Sequence, residues 1–446
     1  MTAEALERRL AAVRAARQRE ATPASDADGS DGDGDPEPIP SGSWPAYDEG
    51  AAAARRLAAA ESLAAAVGGE WTTGPGGSVV RREPDVIDLP LDRRRLAGLP
   101  GQPDPEVPLV CLDTETTGLG TATGTVAWLV GLGWWEGRLF RQLQLMLPDH
   151  ADEPALLAAL EAAIPADGWL VTYNGRGFDW PLLVTRYRLQ RRPAPSHAGM
   201  LDLLPHVRRL FRHRLGDARL ATVEREMLGV RRDEDVAGWE IPGRYLAFLR
   251  DGTVGPLLPV IAHNAEDVRS LGRLLVHLDV RYADPAERRT APAGDLVGLA
   301  RGFTRVRRHE DALACLDEAD AGWRPPTFGS EAWPFGAVSP APGTIGRSRI
   351  RAERARTLGR LGRVDEALAA WETLAAGGGR ASARAWVECA KIHEHRRSDP
   401  AAALRATEAA GLTLERERFL GRPDPPAEVD LARRRRRLRL RLRRAG

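Results

Sequence analysis

Two acidic residues stand at the end of an apolar segment in the first third of the chain. Residues 107–112 are apolar enough to predict a buried strand, and Asp113 and Glu115 follow with one residue between them. Because successive side chains of a strand point to opposite faces, both carboxylates leave the same face. Two acids on one face repel each other, and a hard divalent cation held by oxygen ligands is the usual compensating charge. The spacing therefore predicts a metal-binding strand.

Two later segments supply further acidic residues. Residues 168–174 predict another short apolar strand, and Asp179 follows it at the start of a helical pattern. Residues 261–275 predict an amphipathic helix, on which His263 and Asp267 are four residues apart and therefore share one face. Four carboxylates with a nearby histidine suit two hard cations and a water molecule to be activated.

Each of these motifs has a simpler interpretation when it is taken alone. The stretch 113–118 is compatible with a strand-to-turn junction, in which threonine and glycine shape the bend. Asp179 before a helix is typical of an N-cap, and His263 and Asp267 are ordinary polar residues for a half-exposed helix. Their order along the chain favours one common site, and a metal site that has lost its catalytic rate stays open as a second interpretation.

These motifs resemble the DEDD exonuclease superfamily, the DnaQ-like branch of the ribonuclease H fold. Within it, the chain is similar to the YprB-type ribonuclease H-like domain, and the resemblance covers roughly residues 105–282. The matching stretches are Asp113-Thr-Glu-Thr-Thr-Gly118, Asn174–Asp179 and His263-Asn-Ala-Glu-Asp267.

The third motif departs from the superfamily in one position. In the histidine class the catalytic histidine stands five residues before the last aspartate, and in the tyrosine class a tyrosine stands four before it. Here His263 stands four residues before Asp267. An imidazole that titrates near neutrality suits a general base, so the resemblance implies this role for His263.

The resemblance also implies a mechanism and a substrate. Two Mg²⁺ or Mn²⁺ ions would be held by Asp113, Glu115, Asp179 and Asp267, one activating a water molecule and the other stabilising the departing 3′ oxygen. His263 would accept or orient the proton of that water. The product would be nucleotides released from the 3′ end of a nucleic acid.

Three neighbouring residues are candidates for substrate contact. Asn174 offers a polar group to a sugar or base, Phe178 offers a stacking face, and Thr116 lies within the first motif.

The elements between the motifs predict how the site is built. Residues 126–135 and 138–147 predict two strands joined by a tight turn, and residues 153–164 predict a helix before the strand at 168–174. Three antiparallel strands, a helix and a fourth strand are the ribonuclease H order. We therefore expect an α/β fold, a ribonuclease H-like mixed sheet flanked by helices within residues 105–282.

Residues 292–420 follow a different, all-α pattern that predicts a TPR-like region. The stretches 310–313, 365–368 and 401–404 align, and the last two are 36 residues apart, close to the tetratricopeptide period of about 34. Such helix pairs present a groove for a partner protein. The alternative is a helical cap that packs on the nuclease domain.

We expect both termini to be disordered. A leader is expected between the N-terminal segment and the nuclease domain. Residues 1–49 begin with a short helical pattern and continue with an acidic, Gly/Pro-rich segment that is mostly disordered. Residues 50–104 predict a helical and extended leader. The tail 421–446 has nine arginines from Arg433 to Arg444, which suit a phosphate clamp or a solvated tail.

The composition is compatible with a cytoplasmic protein. The chain has 446 residues and a formal net charge of +2. Cys111, Cys315 and Cys389 lie far apart without metal-ligand spacing, which indicates reduced, buried thiols. No apolar run near 18 residues and no signal peptide is present, so we expect neither export nor a membrane span.

Three functions fit the sequence. The first is a metal-dependent 3′–5′ exonuclease that hydrolyses phosphodiester bonds of DNA. The second is the same chemistry on RNA, as an end-trimming exoribonuclease. The third is a non-catalytic nucleic-acid or protein adaptor that works through its helical repeats. The four acids favour the first two, and the 2′-OH contact that separates RNA from DNA is not readable from a sequence.

Overall fold

A computed structural model describes residues 48–74, 76–118, 124–232, 236–324 and 345–445. The helical pattern and the acidic segment predicted for residues 1–47 lie outside these ranges.

Eight strands form one mixed sheet within the described ranges. Their order is β1-β2-β6-β5-β4-β7-β8, and β3 pairs with β6. The pairs β4–β7 and β7–β8 are parallel, whereas the other pairs are antiparallel. The strands are β1 (Glu70–Gly74), β2 (Gly77–Arg82), β3 (Ile87–Asp88), β4 (Leu109–Thr116), β5 (Ala127–Glu136), β6 (Leu139–Met146), β7 (Trp169–Thr172) and β8 (Gly199–Asp202).

This topology confirms the ribonuclease H-like mixed sheet. Within residues 105–282, the antiparallel strands β4, β5 and β6 come first. A helix then connects β6 to β7, which lies parallel to β4. The predicted leader also enters the sheet, because β2 and β3 both pair with β6.

Helices cover both faces of the sheet and form the C-terminal part of the described chain. Short 3-10 turns lie at His150–Asp152 and Gly255–Leu257, and π turns lie at Glu224–Leu228 and Asp279–Ala283. The helices are α1 (Glu49–Val67), α2 (Arg93–Leu96), α3 (Glu153–Ala163), α4 (Asp179–Leu189), α5 (Leu203–Phe211), α6 (Leu220–Val223), α7 (Ile241–Asp251), α8 (Leu258–Leu278), α9 (Pro285–Arg288), α10 (Ala293–Arg305), α11 (His309–Gly322), α12 (Arg347–Arg360), α13 (Val364–Ala376), α14 (Gly379–His395), α15 (Pro400–Phe419) and α16 (Pro425–Ala445).

The alternation of β4 divides the core into two clusters. Val110 and Leu112 join the cluster that includes side chains of α3 and α7. Leu109 and Cys111 join the other cluster, which includes side chains of α5, α8, α10 and α11. Asp113 continues this second face, so the carboxylates of the first motif lie on the side of the sheet that α8 covers.

The C-terminal helices are joined to the ribonuclease H-like domain by a shared core. Buried side chains of α10 and α11 belong to the same cluster as Leu109 and Cys111. Gly298 on α10 lies so close to α5 that an added Cβ would stand 2.4 Å from the backbone oxygen of Arg209. The first helix pair of this region is therefore packed directly on the domain, as the helical-cap interpretation predicted.

The expected disorder of the C-terminal tail is wrong. Residues 425–445 form α16, whose Leu431 and Leu438 are buried. The two leucines are seven residues apart, which places them on one helix face two turns apart. Arg434 and Arg437 on the same helix pair with the buried Glu394 of α14.

The expectation of buried thiols is confirmed. Cys111, Cys315 and Cys389 are free and buried. No helix in the described ranges combines the length and the apolar character that a membrane crossing requires.

Candidate active site

A close approach between α8 and the sheet brings the third motif to the first. Gly131 on β5 lies opposite Asp113 in the antiparallel register. A Cβ added at Gly131 would stand 2.4 Å from Asn264 Oδ1 and 2.8 Å from Val268 Cγ2, both on α8. Any side chain at this position would push the helix away from the sheet. The glycine thus allows α8, with His263 and Asp267, to lie against β4 and β5.

A chain of hydrogen bonds orients Asp113. Asn264, which is fully buried, donates from Nδ2 to Asp113 Oδ2 at 2.9 Å. The side-chain oxygen Oδ1 of Asn264 accepts from Gln144 Nε2 at 2.9 Å, and Gln144 Oε1 accepts from Arg82 at 2.7 Å. Because buried amides that satisfy one another have few alternative rotamers, this chain fixes the direction of the carboxylate.

Asp179 comes to the same place from the other side of β4. It is the first residue of α4, in the segment that follows β7, and its side chain is buried. Thr114 donates its hydroxyl to Asp179 Oδ1 at 2.5 Å. The second motif is therefore anchored to the first through the threonine between Asp113 and Glu115.

One cavity of about 260 Å³ collects all the predicted residues. Its lining contains the five proposed catalytic residues and the three proposed substrate contacts. Tyr173, Gly238, Ile241, Pro242 and Thr114 complete the wall. The predicted residues that line it are Asp113, Glu115, Thr116, Asn174, Phe178, Asp179, His263 and Asp267.

The carboxylates of this cavity resist ionisation. Burial raises the pKa of Asp113 well above its usual value, and the charges of Asp267, Glu115 and Asp179 raise it further. The pKa of Glu115 is raised by burial and then by Asp267 and Asp179. Burial raises the pKa of Asp179 to about 6, against the hydrogen bond from Thr114. Ionised together, these carboxylates would carry more negative charge than the protein compensates.

A guanidinium group that the sequence analysis missed lies beside the third motif. Arg232 hydrogen-bonds to Asp267 and contacts His263 Nδ1 at 2.8 Å. Burial alone would lower the pKa of Arg232, but the charges of Asp267 and Glu224 raise it. Arg232 is thus a firmly charged group at the edge of the carboxylates.

The partner of this arginine is a buried acid. The side chain of Glu224 is only 1% exposed, and it binds Arg232 through both oxygens. The reason is the π turn Glu224–Leu228, which directs Glu224 inward. No residue spacing in the sequence predicts that turn.

The proposed substrate contacts line the carboxylate cavity and are held by local hydrogen bonds. Asn174 adopts a left-handed backbone conformation with φ of 69°, which asparagine tolerates better than most residues. Its backbone N–H donates to Asp202 Oδ1 at 2.9 Å, and Asp202 also caps α5. Thr116 donates its hydroxyl to the Gly118 carbonyl at 2.6 Å, which holds the end of the first motif.

The donor set fits hard cations, although the side chains are not arranged as a finished cage. Across the described ranges, no three acidic, histidine or cysteine side chains converge closely enough to hold a metal ion. Asp267 is turned to Arg232, Asp179 to Thr114 and Asp113 to Asn264. Oxygen ligands with raised pKa values in one cavity nevertheless have the chemistry that Mg²⁺ and Mn²⁺ select. Binding would require Asp267 to turn away from Arg232.

The fold and these motifs define the class of the domain. Residues 110–279 match the family model described as the RNase_H superfamily. This range begins in β4 and ends just after α8, so it contains all four carboxylates. The central part of the chain is a ribonuclease H-like domain.

A curated relative resembles the same region. It is the uncharacterized protein YprB of Bacillus subtilis (strain 168), which is 34% identical over 217 residues. The aligned part is 47% of this chain and 51% of that protein, so the chain spans about half the length of this relative.

Proposed function

We propose that the protein is a metal-dependent 3′–5′ exonuclease that hydrolyses phosphodiester bonds of nucleic acid. The observation that carries the proposal is the set of four carboxylates on one cavity, of which Glu115 has no ion pair or side-chain hydrogen bond within the described residues. A buried acid without an ion-pair partner costs free energy, and such cost is common where a cation takes part in function.

Asp113, Glu115, Asp179 and Asp267 are the residues that would hold the metal ions. When bound, Mg²⁺ or Mn²⁺ lowers the pKa of a coordinated water and stabilises the departing oxygen. Asn264 keeps the Asp113 carboxylate directed into the cavity, and Thr114 does the same for Asp179. These contacts hold the ligands in place before substrate arrives, which lowers the reorganisation needed for the reaction.

His263 can either orient a water molecule or accept its proton, and the position of Arg232 determines which role is available. The guanidinium has only donors, so its contact with His263 Nδ1 requires that nitrogen to accept. A neutral His263 in this arrangement carries its proton on Nε2 and orients a water molecule by donating to it. Acceptance of a proton at Nδ1 requires Arg232 to leave, for example toward a substrate phosphate.

The C-terminal helices fit the proposed TPR-like region. The three aligned stretches begin the second helix of the pairs α10–α11, α12–α13 and α14–α15. A cavity of about 1040 Å³ lies among α12, α13, α14 and α16, and we propose it as the place where a partner protein would bind. The nuclease proposal does not depend on it.

The test follows both ends of the substrate. Single- and double-stranded DNA and RNA, labelled at the 3′ or the 5′ end, are incubated with wild type and Asp113→Asn in Mg²⁺, Mn²⁺ or EDTA. We expect immediate loss of the 3′ label and stepwise shortening of the 5′-labelled strand, both absent in EDTA and in the variant. The preferred substrate assigns DNA or RNA.

Two results would contradict the proposal. Internal fragments from both labels would replace the exonuclease by an endonuclease. No cleavage of any substrate with either metal would favour the adaptor.

A further inference from the structure

A second, basic cavity lies where α5, α10 and the start of α12 meet. Its volume is about 530 Å³, and no acidic side chain of the described chain lines it. Like charges this close repel one another, so the cavity favours an anion. The basic side chains that line it are Arg208, Arg209, Arg212, His213, Arg301 and Arg349.

Most of this charge is not neutralised by the protein. Arg208 on α5 and Arg212 directly after it are exposed, and neither forms an ion pair with another described residue. Arg301 pairs with Glu353, and Arg349 lies 3.7 Å from the same carboxylate, so a single acid serves two arginines. Isolated exposed arginines are ordinary in an arginine-rich chain. His213 lies 3.3 Å from the buried Asp295, outside the lining, and the five arginines share only Glu353. A concave group of five arginines with one shared carboxylate therefore favours an anionic ligand.

Helix α5 connects this basic cavity with the carboxylate cavity. Its N-cap residue, Asp202, accepts the backbone N–H of Asn174, which lines the carboxylate cavity. Further along α5, Arg208 lies close enough to Tyr173 to oppose the burial that raises the tyrosine pKa. From Asp202 to Arg212 a helix rises about 15 Å, at about 1.5 Å per residue. That is roughly four nucleotides along one strand of a duplex.

We propose that the basic cavity binds the phosphate backbone of the nucleic acid whose 3′ end enters the carboxylate cavity. The position of that end rests on the proposed function, whereas the affinity for phosphates follows from the charge of the cavity itself. Guanidinium groups match phosphate oxygens, and each neutralised phosphate releases a counterion. The length of α5 then sets how much strand must extend from the active site before the arginines can grip it.

The test measures binding separately from cleavage. Full-length Asp113→Asn protein is compared with the same protein carrying Arg208→Ala and Arg212→Ala, by fluorescence anisotropy of a labelled 12-nucleotide strand and duplex over a salt series. We expect the double variant to lose roughly tenfold in affinity and about 1.5 to 2 in the slope of log affinity against log salt. Strands of two or three nucleotides should bind both proteins equally.

A matched control replaces two exposed arginines that line neither cavity, Arg94→Ala with Arg188→Ala, and should leave affinity within twofold of the parent. Thermal unfolding of each variant confirms that it is folded. An unchanged affinity and salt slope in the Arg208→Ala/Arg212→Ala protein would overturn the inference. So would a loss of polyglutamate binding with nucleic-acid binding intact, which would identify an acidic protein as the ligand. Normal salt-dependent binding by a wild type that cleaves nothing would support the inference and contradict the proposed function.

Discussion

Buried carboxylates occur in two parts of this molecule under opposite conditions. Asp295, at the junction of the C-terminal helices with the domain, accepts both ends of the Arg214 guanidinium at 3.0 Å and the hydroxyl of Tyr282 at 2.7 Å. Glu115, in the carboxylate cavity, has no ion pair or side-chain hydrogen bond within the described residues. Burial and the charges of Asp267 and Asp179 raise its pKa, and the charge of Arg232 offsets only part of this rise. Both side chains are nearly inaccessible to solvent.

This difference distinguishes an acid that stabilises the fold from acids that we propose bind metal. A buried charge is tolerated when it is paired and hydrogen-bonded, as Asp295 is. Burial without an ion-pair partner raises the pKa values of Glu115 and Asp179 and costs stability, unless a cation completes the site. Asp267 is intermediate, because Arg232 pairs with it.

The largest effect that follows from this contrast concerns activity. Asp113→Asn keeps the size of the side chain and an acceptor for Asn264, but it removes a proposed metal ligand and its charge. We expect nuclease activity to fall by about a thousandfold or more, since metal ligands act together in such a site. Initial rates of 3′-label release at saturating Mn²⁺ measure the change. A loss below tenfold would remove Asp113 from the catalytic residues.

The matched substitution of the paired acid should do the reverse. Asp295→Asn leaves Arg214 without a counter-charge, so we expect the free energy of unfolding to fall by about 3 kcal/mol. The nuclease rate per folded molecule should stay within twofold, because Asp295 does not line the carboxylate cavity. Urea unfolding and the rate assay on the same preparations test both statements. An unchanged midpoint would show that pairing does not distinguish the two kinds of acid.

A smaller effect concerns pH in the absence of metal. The pKa of Asp179 is raised from about 4 to about 6 in the fold, so the folded state binds more protons than the unfolded state in this range. Stability contributed by Asp179 is therefore lost as the pH rises from about 4 through about 6. We expect the wild type, measured in EDTA against Asp179→Asn, to lose roughly 2 kcal/mol over this window and then to level off. A difference that does not change with pH would contradict the raised pKa.

Much of the architecture could be predicted from the sequence because it depends on local patterns. Local sequence patterns are enough to predict three of the elements. These are the strand ahead of Asp113, the strand at 168–174 and the amphipathic helix α8. The order of these elements then indicated the ribonuclease H-like sheet, which the structure confirms. The strands β2 and β3 of the leader were not predicted individually, since their pairing with β6 joins residues more than 50 positions apart.

The surroundings of the site could not be predicted for the same reason. Arg232 lies in irregular chain after a π turn, and its contacts with Asp267 and Glu224 exist only after folding. Asn264 did carry a signal, as a polar residue on the buried face of an amphipathic helix within the third motif. Gly131 carried one too, because a glycine inside an apolar strand often marks a close approach of another backbone.

The most direct test of the central claim is the thermal stability of wild type and Asp113→Asn in EDTA and in saturating Mn²⁺. Without metal, the variant should unfold at the higher temperature, because the substitution relieves repulsion among the carboxylates. With metal at about 100 times its dissociation constant, wild type should gain about 2.7 kcal/mol and become the more stable protein. A wild type that is already more stable in EDTA, and that Mn²⁺ does not stabilise, would contradict the claim that these acids await a cation.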